Sequence, residues 1–256
     1  MTVPVPAEAP VDVLVRTFNS ARTLPRCLAA ARRALPIHRL IVVDRNSTDA
    51  TPAIARDFDA ELHREEAGIG LATTRAIELA TTPVVLFLDS DVEIVRRDFF
   101  REARRALARP RVVAVVGGAV GHPFVYGLPL GLTLLRREWA ASVRIPPQQQ
   151  GAETWYLRHA LARDRLRVAY VPEAMVHESV FRGRHWPEWQ GANIRTAAGL
   201  SPRELAYALC VVLLIHINSR RWRNVLYAPV FYLKFLRGFT QPRRWIVRDR
   251  RDARLD

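Results

Sequence analysis

Cysteine is scarce in this chain, lysine is almost missing, and no apolar stretch is long enough to cross a bilayer. Two cysteines occur in 256 residues, Cys27 and Cys210, far apart and each in apolar surroundings. That pattern excludes a disulfide framework and reads as two buried thiols of a reducing compartment. A single lysine, Lys234, stands among 39 basic residues, so the net charge of +14 is carried by arginine. A field of that sign favours anionic partners: nucleic acid, an anionic membrane surface or phosphorylated substrates. No recognised nucleic-acid-binding motif accompanies it, and the basic residues cluster beside apolar segments, so nucleic acid is not an expected partner. The Pro-rich first ten residues lack a basic region followed by an apolar core, and no signal peptide is expected there.

What the chain does have is a run of five apolar residues, Val84 to Leu88, that stops at Asp89-Ser90-Asp91. Such a run reads as a strand buried on both faces, the kind found inside a parallel sheet. Ligands of open α/β sheets bind at the carboxyl ends of strands, which is where these acids fall. Two carboxylates at that spacing suit a divalent cation, Mg²⁺ or Mn²⁺, and the cation in turn suits a diphosphate.

Strand and helix patterns alternate around this run. Strands are predicted over 11–15, 38–43 and 61–64, with helices over 21–33 and 51–58, and a third that residues 68–72 lead into and that reaches about residue 80, between them and the central run. A basic helix over 98–108, a strand over 112–120, a helix over 153–163 and a strand over 167–171, ending at Pro172, follow. The alternation predicts an α/β domain over residues 1–200 with helices covering a parallel sheet. Residues 124–135 are apolar but broken by Gly127, Pro129 and Gly131, suited to lying on a bilayer rather than crossing it. Beyond residue 200 the character changes. Two apolar segments, 205–217 and 225–236, flank Arg220-Arg221-Trp222-Arg223 and precede a polybasic tail. The first is shorter than the roughly 20 residues a membrane helix needs. Residues 201–256 therefore read as a membrane-associated helical hairpin with a basic tail, drawn to an anionic cytoplasmic leaflet. That places the chain at the cytoplasmic face of the cell membrane; the alternative is a helix pair packed on the catalytic domain.

Five segments, in order, carry a resemblance. They are 13–19 (VLVRTFN), 42–49 (VVDRNSTD), Gly68-x-Gly70-x-Ala72, 86–91 (LFLDSD) and 168–177 (VAYVPEAMVH). Together they resemble family 2 glycosyltransferases of the GT-A fold, a Rossmann-like nucleotide-diphospho-sugar transferase domain. The resemblance covers about residues 11–190 and implies a metal-dependent inverting transfer of one sugar from a nucleotide-sugar donor to a lipid-linked or glycan acceptor. It makes Asp89 and Asp91 the cation's ligands, with His177 as a further ligand or a phosphate contact. Thr17, Asn19 and Asp44 would line the nucleoside pocket, and Gly68 and Gly70 the donor side. Arg75 faces the diphosphate or is an exposed helix arginine. Glu153 aligns with the family's acidic pair and is the candidate base, although Thr154 replaces the second acid; Trp155 stacks on a sugar face or belongs to the core. Arg45 stands where many relatives have another acid. The Gly-x-Gly-x-Ala segment is similar to that of dolichol-phosphate mannose synthases and favours mannose from GDP-mannose, with UDP-glucose or another UDP-sugar as the alternative. Arg16-Thr17-Phe18-Asn19 is not the Gly-rich basic loop of nucleotidyltransferases, which argues against that reaction. An Arg182-x-Arg184-His185-Trp186 segment loosely resembles processive, cellulose-synthase-like members.

Overall fold

The computed structural model describes residues 9–121, 128–147, 149–178, 185–218 and 222–245. The chain opens with β1 (Val11–Thr17), α1 (Leu24–Ala34), β2 (Ile37–Asp44), α2 (Thr51–Asp57), β3 (Glu61–Arg64), α3 (Ile69–Leu79) and β4 (Val84–Asp89). Next come β5 (Val92–Ile94), α4 (Phe99–Leu107), β6 (Val112–Ala119), β7 (Leu132–Arg136), α5 (Arg137–Ala141), α6 (Thr154–Arg163) and β8 (Arg167–His177). Four helices end the described chain: α7 (Trp186–Ala198), α8 (Pro202–Asn218), α9 (Trp222–Thr240) and α10 (Pro242–Trp245).

Among the described residues the strands form one sheet in the order β3-β2-β1-β4-β7-β6-β8-β5. The first four are parallel, β7 runs antiparallel to both neighbours, and β5 runs antiparallel to β8. Because successive strand residues point to opposite faces, the apolar runs feed two cores. Val13, Val15, Leu86 and Leu88 pack with Leu28 of α1 and Phe99 of α4. Leu14, Val85 and Phe87 pack on the other face with Ala76 of α3, Trp139 of α5 and Leu157 of α6. α1 is shaped by its sequence: a proline in its first turn fixes the entry, and Arg32 and Arg33 in its last turn complement the helix dipole.

Several expectations are corrected. Part of the segment expected on a bilayer, 132–135, instead belongs to β7, wedged between β4 and β6 with Leu132, Leu134 and Leu135 buried. A run buried on both sheet faces is as apolar as one facing lipid, so composition cannot separate the two; residues 122–127 lie outside the described residues. β8 does not stop at Pro172 but bends there, with Glu173 at φ 51°, and continues to His177. The register between β6 and β8 slips across this bend, which lets a proline sit inside the strand. Cys27 is buried as expected, whereas Cys210 is exposed on α8; both are free thiols.

A third apolar cluster joins α7, α8 and α9 through Trp186, Ala208, Phe231 and Phe235. α7 and α9 touch backbone to backbone. A Cβ on Gly191 would sit 2.0 Å from the Phe235 carbonyl oxygen, and one on Gly238 would sit 1.8 Å from that of Glu188. Only glycine permits this approach.

Asp12, fully buried at the start of β1, ties the sheet to the turn before β4. It accepts hydrogen bonds from the Thr81 (2.6 Å) and Thr82 (3.0 Å) amides and lies 2.8 Å from His38 Nδ1. Burial raises its pKa, but the two amides and His38 outweigh that, and the net shift is below the ordinary value of 3.8. A depressed folded-state value means that the ionised form stabilises the fold above the unfolded pKa and that this is lost as pH falls through the folded one. Asp12→Ala should lower stability at neutral pH by about 2 kcal/mol. The deficit should shrink under acid conditions, as read by urea unfolding across pH.

Candidate active site

The carboxyl ends of β1, β2 and β4 stand side by side, with Thr17 paired to Asp44 and Arg16 to Asp89 in register. Two loops above β1 and β2 are sewn together. The Asn19 amide donates to Ser47 Oγ (2.8 Å), and the Thr48 amide donates to Asn19 Oδ1 (2.9 Å). Asn19 adopts a left-handed backbone, φ 48°, which asparagine tolerates better than most residues. Asp44, expected to meet the ribose or base, is buried with its carboxylate occupied by the protein. It accepts from Thr17 Oγ1 (2.7 Å), the Ser47 amide (2.8 Å) and Ser47 Oγ (2.6 Å). Thr17 and Asp44 therefore frame this loop pair, while Asn19 is exposed at its rim.

At the tip of β4 the Asp89 amide donates to the Gly131 carbonyl (2.9 Å) and the Cys27 thiol donates to the Asp89 carbonyl (3.3 Å). Burial, together with the Asp89 and Asp91 carboxylates, pushes the Cys27 thiol well up, so it stays protonated as a donor. Ser90 turns toward Ser20, Oγ to Oγ 2.9 Å. The continuation of β8 past Pro172 pairs His177 with Val92, and the Glu178 amide donates to the Asp91 carbonyl (2.9 Å). His177 Nε2 thereby lies 3.0 Å from Asp91 Oδ1. One ligand atom from each of Asp89, Asp91 and His177 falls within 4.8 Å of the others. Their side chains are 35%, 24% and 35% exposed, so the tip of the strand is open to solvent. Two carboxylates and an imidazole around an open space fit a hard divalent cation such as Mg²⁺ or Mn²⁺, with positions left for phosphate oxygens.

Sequence reading missed the residue that organises the remainder. Arg16, its side chain 9% exposed, donates from Nη2 to Asp89 Oδ1 (3.0 Å) and from Nη1 to Glu153 Oε1 (2.8 Å) and Thr73 Oγ1 (3.0 Å). Burial alone would lower its pKa, but Glu153 and Asp89 reverse this and the net shift is upward. Glu153 sits at the head of α6, 9% exposed at its side chain, and is joined to the cation-ligand candidate Asp89 through one guanidinium. An arginine at the end of an otherwise apolar strand needs buried counter-charges, and that was the available signal.

Other predicted residues have protein contacts of their own. Gly68 and Gly70 meet the 145–150 loop: a Cβ on Gly68 would lie 2.8 Å from Gln150 Nε2, and one on Gly70 2.4 Å from the Pro146 carbonyl. The demand on both glycines is the approach of this loop. Trp155, expected at a sugar face or in the core, donates from Nε1 to Glu204 of α8 (3.0 Å) and stacks its ring on His159. Arg75 is exposed and pairs with Glu78 on its own helix (3.6 Å). Arg182 and Arg184 lie outside the described residues. A separate cleft of about 690 Å³ runs along α4 and β8 between Arg96, Arg109 and Arg167, and holds none of the predicted site residues.

This arrangement, with paired acids at the end of a central strand and a third acid opposite on a helix, is that of the GT-A class of α/β folds. Solved structures agree on the fold. A mannosyltransferase from Pyrobaculum calidifontis, in complex with GDP-Man and Mn²⁺, superposes with a TM-score of 0.67 at 19% identity, covering 91% of this chain and 86% of its own. Glucosyl-3-phosphoglycerate synthase from Mycobacterium tuberculosis, in complex with Mn²⁺, UDP and phosphoglyceric acid, gives 0.60 at 19% identity over 75% and 79%. The chain belongs to glycosyl transferase family 2, whose profile matches residues 12–140. A TPR repeat-containing protein of Synechococcus elongatus is 36% identical over 110 residues, covering 42% of this chain and 27% of that protein. A PGL/p-HBAD biosynthesis glycosyltransferase of Mycobacterium tuberculosis is 34% identical over 124 residues, 45% of each. The chain thus spans less than half the length of these two curated relatives.

Replacing Arg16 by alanine would leave Glu153 buried without its counter-charge. A loss of roughly 3–5 kcal/mol is expected. Arg16→Lys should recover only part of it, because an ammonium cannot serve both carboxylates as a planar fork does. Thermal unfolding of the two variants checks this.

Proposed function

We propose that this chain is a metal-dependent inverting glycosyltransferase moving a single sugar from a nucleotide-sugar donor to a hydroxyl of a lipid-linked or glycan acceptor. The observation that carries the reading is the convergence of Asp89, Asp91 and His177 at the solvent-open tip of β4, with Glu153 tied to the same acids through Arg16. Asp89, Asp91 and His177 hold Mg²⁺ or Mn²⁺. When bound, that cation supplies charge neutralisation for the diphosphate leaving group. The loop pair framed by Thr17, Asn19 and Asp44 receives the nucleoside. Glu153 takes the proton of the acceptor hydroxyl as its oxygen bonds to the anomeric carbon and the bond from that carbon to the diphosphate oxygen breaks. Arg16 fixes where the Glu153 oxygen sits, and so acts as a positioning residue.

GDP-mannose is the favoured donor, supported by the Gly-x-Gly-x-Ala likeness and by the fold shared with a mannosyltransferase that holds GDP-Man and Mn²⁺. The fold is shared also with an enzyme whose structure holds UDP, so a UDP-sugar is the competing donor.

Purified protein given labelled GDP-mannose or UDP-glucose should release nucleoside diphosphate in an Mn²⁺-dependent manner. Asp91→Ala should abolish the Mn²⁺ dependence of donor binding. Glu153→Gln should keep donor binding while kcat falls about 10²–10⁴-fold. Turnover of neither donor, with Asp91→Ala binding both as the parent does, would overturn the reading.

A further inference from the structure

α9 is apolar on two sides. Ala228, Phe231, Phe235 and Phe239 are buried, on the side that packs against α7. The opposite side carries Leu226 (68% exposed), Val230 (46%) and Leu233 (71%) at helical spacing, with Tyr227 beside them. α8, joined to α9 by a hydrogen bond from Tyr232 Oη to the Leu209 carbonyl (2.8 Å), adds exposed Leu213. A helix pair with one face docked on its own domain and a second apolar face in water is a surface that a partner covers.

Charge identifies that partner. From residue 205 to residue 248 the chain has no aspartate or glutamate and eight arginine and lysine residues. Arg237, Arg243 and Arg244 are exposed at the end of α9 and on α10. A second copy of this face would bring arginine to arginine with no acid between them. An anionic lipid surface matches both features, taking the apolar stripe into its acyl boundary and the guanidinium groups at its headgroups. Among the described residues no helix is long and apolar enough to cross a membrane, so the contact is with the surface.

We propose that the outer face of α8 and α9 docks this chain on an anionic bilayer. The docked helices are braced to the candidate active site. Glu204 of α8 accepts hydrogen bonds from Trp155 and Arg158 and lies 3.2 Å from His159 Nε2, all on the helix headed by Glu153. α9 meets α7, whose Trp189 ring lies against Gly151, two residues before Glu153. The lipid surface and the acceptor side of the site are thus carried by one group of packed elements.

The test is co-sedimentation of the full chain with vesicles of phosphatidylcholine alone or mixed with phosphatidylglycerol. Binding to the mixed vesicles, weakened by salt, is the expected result. A Leu226→Asp/Leu233→Asp double variant should bind about tenfold more weakly or worse, with an unchanged thermal melt. Val95→Asp, at an exposed apolar residue on another part of the surface, should bind as the parent does. No binding to either vesicle would overturn the proposal, as would binding that the double variant leaves intact. A dimer in sedimentation velocity that the double variant converts to monomer would reassign the face to self-association. No nucleotide sugar is present in these measurements, so the docking proposal and the transfer reading stand or fall separately.

Discussion

One guanidinium holds the candidate site together. Arg16 leaves the end of β1 into a place that water scarcely reaches, between a carboxylate of the central strand and one at the head of α6. Arg16 and Glu153 are both largely withdrawn from water and are tolerable only as a pair, while Asp89, at the solvent-open tip, adds a second counter-charge. The bridge spans 137 residues of sequence between Arg16 and Glu153. It joins the end of β1 and the tip of β4 to the head of α6, and Thr73 of α3 is its neutral third partner.

The second constraint is topological. β5 follows β4 directly in sequence yet lies at the far edge of the sheet, beside β8. The Asp89-Ser90-Asp91 turn is too short to cross the sheet, so the end of β8 comes back to the tip of β4, where Gly131 lies beside both Asp89 and Met175. The bend of β8 at Pro172 and Glu173 makes this possible, because its final residues leave β6's register and pair with β5. Without that bend, His177 would not stand beside Asp91.

Much of this was legible in the sequence where the signal is local. The β3 bounds, the five apolar residues of β4 and its two terminal acids follow from runs and turn residues a few positions long. What escaped depends on distant partners. β7 was hidden because Leu132, Leu134 and Leu135 are buried on both sheet faces and so resemble a lipid-facing run. α7 was hidden because it packs on α9 through Gly191, a residue that weakens a helical pattern. Asp44 and Trp155 were picked out as site candidates, but their protein partners, Thr17 and Ser47 in one case and Glu204 and His159 in the other, follow from the fold and not from a local pattern. Arg16 was overlooked because sequence alone does not show that its strand ends between two acids.

The crossing of α7 and α9 has a consequence for how the chain can be cut. Gly191 and Gly238 leave no side chain between the two backbones, so these helices, though separated by all of α8, lie in direct backbone contact. A truncation at residue 200 would keep α7 but strip its partner, exposing a groove of bare peptide that water can solvate but no neighbouring side chain can refill. Any shortened form or chimera that is to keep the wall behind Gly151 must carry the chain through Phe239, or else begin its foreign segment ahead of Trp186.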